Sequence, residues 1–237
     1  MVDDEDSEYG DPEPATAPPE WAQSLVARAR ELVGMEVYPP SDDTFLLLEA
    51  LEADLEFFRD LKPKICLEIG CGSGTVSAGL LKLLAKDGNA VPRLIAVDKN
   101  PAAVGCTQKV LASQSLLGYA DCLRGSFTDM FREGAEIDIV VCNPPYVPGD
   151  KEEMEGCGIS VSWAGGDRGR EVIDILLPKV WPIIARGGFF YLVCLAENEP
   201  EELLAVGRAA GLEAAIAKHE TRGMEELLIL RFHKPME

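Results

Sequence analysis

The chain has 237 residues, of which 47% are hydrophobic, and it carries a formal net charge of −19. This length suits one α/β domain with a substantial core, and no apolar run reaches the roughly 18 residues that a membrane span needs. The acidic balance disfavours a nucleic-acid partner, because backbone binding depends mainly on Lys and Arg.

The N-terminal segment, residues 1–19, is acidic and proline-rich, and we predict that it forms a disordered tail. It lacks the basic and apolar pattern of a signal peptide, so we expect a cytoplasmic and possible nuclear location. Residues 20–237 show no internal repeat and are interpreted as a single domain. The seven cysteines include no CxxC pair and several lie in apolar runs, which predicts reduced core thiols.

Two helical stretches precede the first predicted strand. Residues 19–34 carry an apolar stripe and end at a glycine. Residues 41–61 begin with Ser41 as a candidate N-cap, and Asp42 and Asp43 occupy the first turn, where the helix dipole favours acids.

From residue 64 onwards, short apolar runs alternate with helical stretches. Strands are predicted at 64–70, 93–100, 121–127, 136–143, 188–197, 214–220 and 226–234, with the third one weak. Helices are predicted at 75–88, 101–114, 169–188 and 199–211, and Pro178 and Pro182 should kink or shorten the third of these. The alternation predicts an α/β fold with a doubly wound, mostly parallel seven-stranded sheet and an antiparallel C-terminal strand pair.

A glycine loop follows the first strand, with Gly70, Gly72 and Gly74 at alternate positions before a helix. Such a loop lets a ligand lie against bare backbone at the carboxyl edge of the sheet. The G-x-G-x-G spacing matches neither the G-x-G-x-x-G of dinucleotide folds nor a Walker loop.

Two carboxylates extend this candidate site. Asp98 ends the second strand, where an acid can accept both ribose hydroxyls of an adenosine ligand. Glu68 lies at the end of the first strand and suits a cationic ligand better than a pyrophosphate. Together these features favour S-adenosylmethionine as the cofactor.

The fourth strand ends in Asn143-Pro144-Pro145-Tyr146. Two prolines remove two backbone donors and end the strand, so this segment alone could be an ordinary turn. Following an E-x-G-x-G-x-G loop and an acid that ends the second strand, it resembles the pattern of class I S-adenosylmethionine-dependent methyltransferases that modify planar nitrogen.

More narrowly, the chain resembles the HemK family of release-factor glutamine methyltransferases, in its eukaryotic and archaeal branch. The resemblance runs through most of residues 35–235 and includes the segments 38–48, 163–166, 169–172 and 190–193. It covers neither the acidic tail nor the N-terminal helical domain of the bacterial enzymes, so substrate docking should differ from theirs.

The resemblance implies roles at matching positions. Tyr38 and Thr44 would close over the cofactor, Asp129 would lie near the adenine, and Asn143 would hold the target amide. The Asn143 side-chain oxygen and the Pro144 backbone carbonyl can accept both hydrogens of a substrate NH2, and Tyr146 can form a flat wall. The long 147–168 loop should shape the substrate pocket.

The resemblance also implies two protein partners. A class-1 release factor would supply the glutamine of its Gly-Gly-Gln motif, and a small zinc-binding activator protein would add a strand beside the weak third strand. The two histidines, His219 and His233, lie in the C-terminal strand pair and do not support a metal site in this chain.

Three alternatives stay open. A lysine substrate, such as a histone, would first have to lose a proton. An adenine-N6 methyltransferase would have to flip a base from a polyanion. A degenerate scaffold protein would have lost the cofactor loop or the N-P-P-Y segment, and both are intact.

Overall fold

The computed structural model of the protein describes residues 17–86, 90–126, 134–149, 163–222 and 225–236, and seven strands of these residues form one sheet. The strands are β1 (Ile65–Ile69), β2 (Arg93–Asp98), β3 (Ala120–Arg124), β4 (Ile137–Cys142), β5 (Ile184–Leu195), β6 (Glu213–Arg222) and β7 (Glu225–His233). Their order is β3-β2-β1-β4-β5-β7-β6. Strands β1 to β5 pair in parallel, whereas β7 runs antiparallel to both β5 and β6, which confirms the predicted fold class.

Seven α-helices accompany the sheet in the described part of the chain. They are α1 (Gln23–Leu32), α2 (Asp42–Ala53), α3 (Leu55–Leu61), α4 (Thr75–Leu84), α5 (Pro101–Ser113), α6 (Glu171–Val180) and α7 (Pro200–Ala209). The first five pack on one face of the sheet and the last two on the other. None of the described helices is long and apolar enough to cross a membrane. The predicted acidic tail lies, as far as residue 16, outside the described residues.

Alternate residues of each central strand enter the two cores. In β5, Tyr191 and Val193 point towards α1–α5, while Phe190 and Leu192 point towards α6 and α7. All four are fully buried. Strands covered on both faces are therefore apolar at most positions, which explains their nearly continuous apolar sequence.

The predicted helix at 41–61 is wrong in one respect, because it breaks at Asp54 into α2 and α3. The Asp54 carboxylate turns inwards and accepts hydrogen bonds from Tyr191 Oη (2.7 Å) and from Arg231 Nη1 (2.7 Å). A mostly buried carboxylate with two strong partners outweighs the preference of the local sequence for one continuous helix.

The predicted helix at 169–188 is also wrong in its last part. Helix α6 ends at Val180, a 3-10 turn spans Trp181–Ile183, and residues 184–188 already belong to β5. Pro182 provides no backbone donor to extend the helix, as expected. The chain leaves the helix there, and β5 begins at residue 184, four residues earlier than predicted.

Candidate functional site

A cavity of about 950 Å³ lies at the carboxyl ends of β1, β2 and β4. This volume suits a ligand of nucleoside size. Of the residues predicted from sequence to form the site, those that line the cavity are Tyr38, Thr44, Glu68, Gly70, Gly72, Asp98, Asn143, Pro144, Pro145 and Tyr146. Asp129 lies outside the described residues, as do positions 150–162 of the long loop. The functional roles of all these residues remain predictions.

The glycine loop adopts the left-handed backbone conformation at Gly70, Gly72 and Gly74, where φ is 77°, 47° and 78°. Gly74 does not line the cavity. A Cβ atom there would lie 2.6 Å from the Thr107 Cα atom, so glycine permits α4 to begin directly against α5.

Asp98, the last residue of the neighbouring strand β2, hydrogen-bonds to the glycine loop. Its Oδ2 accepts from the Gly72 amide (3.0 Å) and its Oδ1 from the Asn100 amide (2.8 Å). Burial raises the pKa of this carboxyl, although the backbone donors oppose the rise. A carboxylate has about four accepting positions and the backbone does not fill all of them, so the residue fits a ligand with ribose hydroxyls.

Glu68 is buried beneath the same cavity, where the Ser77 hydroxyl donates to it. Burial raises the pKa of the Glu68 carboxyl to about 8, and the nearby Asp98 charge adds to the rise. A cationic group in the cavity would favour the ionised carboxylate. The two acids and the bare glycine backbone therefore fit the predicted S-adenosyl cofactor.

Tyr38 and Thr44 lie on the other side of the cavity. Tyr38 is 39% exposed, and partial burial raises the pKa of its phenol. The Thr44 hydroxyl accepts from the Ser41 amide (3.4 Å) and donates to Asp43 Oδ1 (3.2 Å). These contacts confirm Ser41 as the N-cap of α2 and use the Thr44 hydroxyl to begin the helix.

Asn143 makes the central contact of the site. Its Nδ2 donates to Asp43 Oδ2 across 2.8 Å, and the Tyr146 hydroxyl donates to the same oxygen across 2.9 Å. The Asn143 Oδ1 atom is buried and finds no hydrogen-bond partner among the described residues. Burial raises the pKa of the Tyr146 phenol well above its usual value, and the Asp43 charge adds to the rise.

The prediction from sequence missed the part that Asp43 plays here. Its place in the first turn of α2 indicated only a favourable interaction with the helix dipole. The residue is 6% exposed, and the structure places its carboxylate against a segment that lies 100 residues later in the chain. No local sequence pattern signals a contact of that range.

Asn198 was also missed, because nothing in its neighbourhood marks it in the sequence. It is fully buried, and its Nδ2 donates to the backbone carbonyls of Tyr146 and Arg168, both at 2.8 Å. Its Oδ1 accepts from the Leu195 amide at 2.7 Å. Asn198 therefore holds the end of the N-P-P-Y segment against the turn that precedes α6.

The described ends of the long loop complete this support. The Val147 amide donates to the Trp163 carbonyl (2.9 Å), and the Gly165 amide donates to the Val147 carbonyl (2.8 Å). Trp163 and Val147 both line the cavity. These two ends of the loop therefore lie against each other beside the N-P-P-Y segment and form part of the cavity wall.

Comparison with known proteins places this arrangement in a family. Residues 42–157 match the family model described as methyltransferase small domain. Methyltransferase HEMK2 of Homo sapiens is 37% identical over 202 residues, which are 84% of this chain and 90% of that protein. The eRF1 methyltransferase catalytic subunit mtq2 of Schizosaccharomyces pombe is 33% identical over 208 residues, with the same coverage.

A solved structure agrees with these relatives. The E. cuniculi Mtq2–Trm112 complex, responsible for methylation of the eRF1 translation termination factor, contains a chain that is 25% identical and superposes with a TM-score of 0.57. The match covers 84% of this chain and 99% of that one.

Proposed function

This chain belongs to the HemK family of methyltransferases, and we propose that it methylates the side-chain nitrogen of the glutamine in the Gly-Gly-Gln motif of a class-1 release factor, with S-adenosylmethionine as the donor. The observation that carries the proposal is the buried Asn143 Oδ1 at the cavity, which has no hydrogen-bond partner in the part of the chain that the structure describes. A buried acceptor without a donor costs roughly 1–3 kcal/mol, which a substrate N–H would recover. The names of relatives that act on eRF1 support the choice of substrate.

The cofactor would lie along the glycine loop. Asp98 would accept from its ribose hydroxyls, and Glu68 would favour its cationic end. When bound, the cofactor supplies an electrophilic methyl group on a sulfonium. Asp98→Asn should therefore weaken binding of S-adenosylmethionine about 10- to 100-fold, measured by calorimetry, because charge-assisted hydrogen bonds are lost.

A glutamine side-chain nitrogen is a poor nucleophile, because its lone pair is delocalised into the carbonyl. Asn143 Oδ1 and the Pro144 backbone carbonyl would each accept one of its hydrogens and fix its direction. Tyr146 would bound the planar amide on one side. Positioning of this kind can lower a barrier by roughly 7–11 kcal/mol.

The hydrogen bonds of Asp43 favour an amide over a lysine. An ammonium substrate would need a nearby base, and Asp43 is the carboxylate that contacts Asn143. Four hydrogen bonds already reach it, from the Thr44 amide and hydroxyl, the Asn143 amide group and the Tyr146 hydroxyl. A carboxylate with its accepting positions filled is poorly suited to remove a proton from a substrate.

We also propose a small zinc-binding activator as a partner that adds a strand beside β3. Strand β3 is at one edge of the sheet, so its outer backbone groups can pair with another chain. Leu123 on β3 is 39% exposed, and Leu117 and Tyr119 in the 3-10 turn that precedes β3 are 40% and 45% exposed. The Mtq2–Trm112 complex supports a partner of this kind.

The substrate can be tested with cofactor that carries a labelled methyl group. The purified enzyme with its activator should label a release factor and should not label the same factor with its Gly-Gly-Gln glutamine replaced by leucine. Asn143→Ala should bind the cofactor normally and transfer no methyl group. Equal labelling of both release factors would show that the methylated residue is not this glutamine but a lysine or another side chain.

A further inference from the structure

The contact between Asp43 and Asn143 restricts the direction of the Asn143 side chain. An ionised carboxylate accepts hydrogen bonds and donates none, so the amide group that faces it must be Nδ2. The 2.8 Å separation is that of a well-formed hydrogen bond between charged and neutral partners. The Oδ1 atom therefore points away from Asp43, and it is the atom left without a partner among the described residues.

Asp43 is itself firmly held. Its Oδ1 accepts from the Thr44 amide across 2.6 Å, and its Oδ2 accepts from Tyr146 as well as Asn143. The residue is 6% exposed, so another rotamer would leave these buried donors without their acceptor. The start of α2 thus fixes a carboxylate that in turn fixes the amide at the end of β4.

We propose that Asp43 is a positioning residue. By orienting the Asn143 amide, it selects as the methylated group a nitrogen that can donate a hydrogen bond to Asn143 Oδ1. Without a negative charge at this position, the Asn143 amide could rotate by 180° and present Nδ2, a donor, to the substrate. A donor facing a substrate NH2 would repel it and leave the nitrogen misdirected. This role of Asp43 rests on the proposed amide substrate. It makes a residue outside the N-P-P-Y segment the source of the enzyme's selectivity for that amide.

The test compares Asp43→Asn with Asp42→Asn, which removes the same charge from the same helix turn one residue earlier. With Asp43→Asn, kcat for the release factor should fall at least tenfold, while the dissociation constant of S-adenosylmethionine stays close to wild type and the protein, although its melting temperature falls, remains folded at the assay temperature. Asp42→Asn should leave kcat within about twofold. A wild-type kcat in Asp43→Asn, or an equal loss in both variants, would overturn the proposal.

A reciprocal exchange provides a second measurement. In the double variant Asp43→Asn with Asn143→Asp, the new amide at 43 can donate to the new carboxylate at 143, which again offers an acceptor to the substrate. Its kcat should exceed that of Asn143→Asp alone, in which two carboxylates face each other. A double variant no more active than that single variant would contradict the proposed orientation.

An observation independent of substrate separates this inference from the proposed function. The Asn143 side-chain NH2 resonance, assigned by its absence in Asn143→Asp, should exchange slowly with solvent in the wild-type protein and faster in Asp43→Asn. If the release factor is not methylated but the NH2 group is protected, the substrate is wrong and the positioning contact stands. Rapid exchange in the wild type would overturn the positioning contact itself.

Discussion

Asn198 Nδ2 lies 2.8 Å from the Tyr146 carbonyl oxygen and so connects the turn after β5 to the last residue of the N-P-P-Y segment. Replacing Asn198 with alanine leaves buried backbone groups unpaired, among them the Leu195 amide. We expect the free energy of unfolding to fall by about 1–3 kcal/mol. We also expect kcat to fall at least tenfold, because the acceptor groups of the segment lose their support.

Chemical denaturation and methyl-transfer kinetics measure the two effects. The neighbouring Glu197 is exposed, so Glu197→Ala serves as the matched control and should change neither quantity appreciably. An unaltered kcat in a folded Asn198→Ala protein would show that the segment keeps its position without this contact.

Glu68 should make the stability of the cofactor-free protein depend on pH. Burial raises its folded-state pKa to about 8, whereas the carboxyl in the unfolded chain has the ordinary value near 4.5. Between these values the folded state holds a proton that the unfolded state has lost, so stability falls as pH rises from about 5 to 8. Glu68→Gln cannot ionise, and the variant should therefore gain stability relative to wild type across this interval.

Denaturant unfolding of both proteins at pH 5, 6.5 and 8 measures the difference directly. The Ser77 hydroxyl can still donate to the glutamine oxygen, so the comparison isolates the charge. If the difference in the free energy of unfolding between wild type and Glu68→Gln did not vary with pH, Glu68 would not titrate in this range.

Two glycines should respond in opposite ways to alanine. At Gly74, φ is 78° and a Cβ would meet the Thr107 backbone at 2.6 Å, so Gly74→Ala should lower the melting temperature and weaken cofactor binding. Gly105 lies inside α5 with open space where a Cβ would stand, and Gly105→Ala should stabilise the fold by about 0.5–1 kcal/mol. Thermal unfolding measures both variants. If their melting temperatures changed in the same direction relative to wild type, this account would be wrong.

Patterns that repeat over short distances allowed much of the fold to be predicted. Apolar runs separated by helical stretches predicted all seven strands, and the glycine loop with its following acid predicted the edge of the sheet that carries the cavity. Apart from the early end of the helix before Pro182, the failures have one physical origin. The break at Asp54, the contact of Asp43 with Asn143 and the support from Asn198 all arise from polar side chains that meet distant partners inside the fold.

The edge strand β3 provides the test of the proposed activator. Leu123 is 39% exposed on β3, and a lysine there would oppose pairing of an apolar partner at the edge. Ile216 is 41% exposed on β6, the strand at the opposite edge, and is the matched control.

After co-expression with the activator, Leu123→Lys should recover much less complex than wild type, whereas Ile216→Lys should recover a wild-type amount. Cofactor binding should survive in both variants, since neither residue lines the cavity. Loss of the complex in Ile216→Lys instead would place the activator on β6 and exclude the β3 edge.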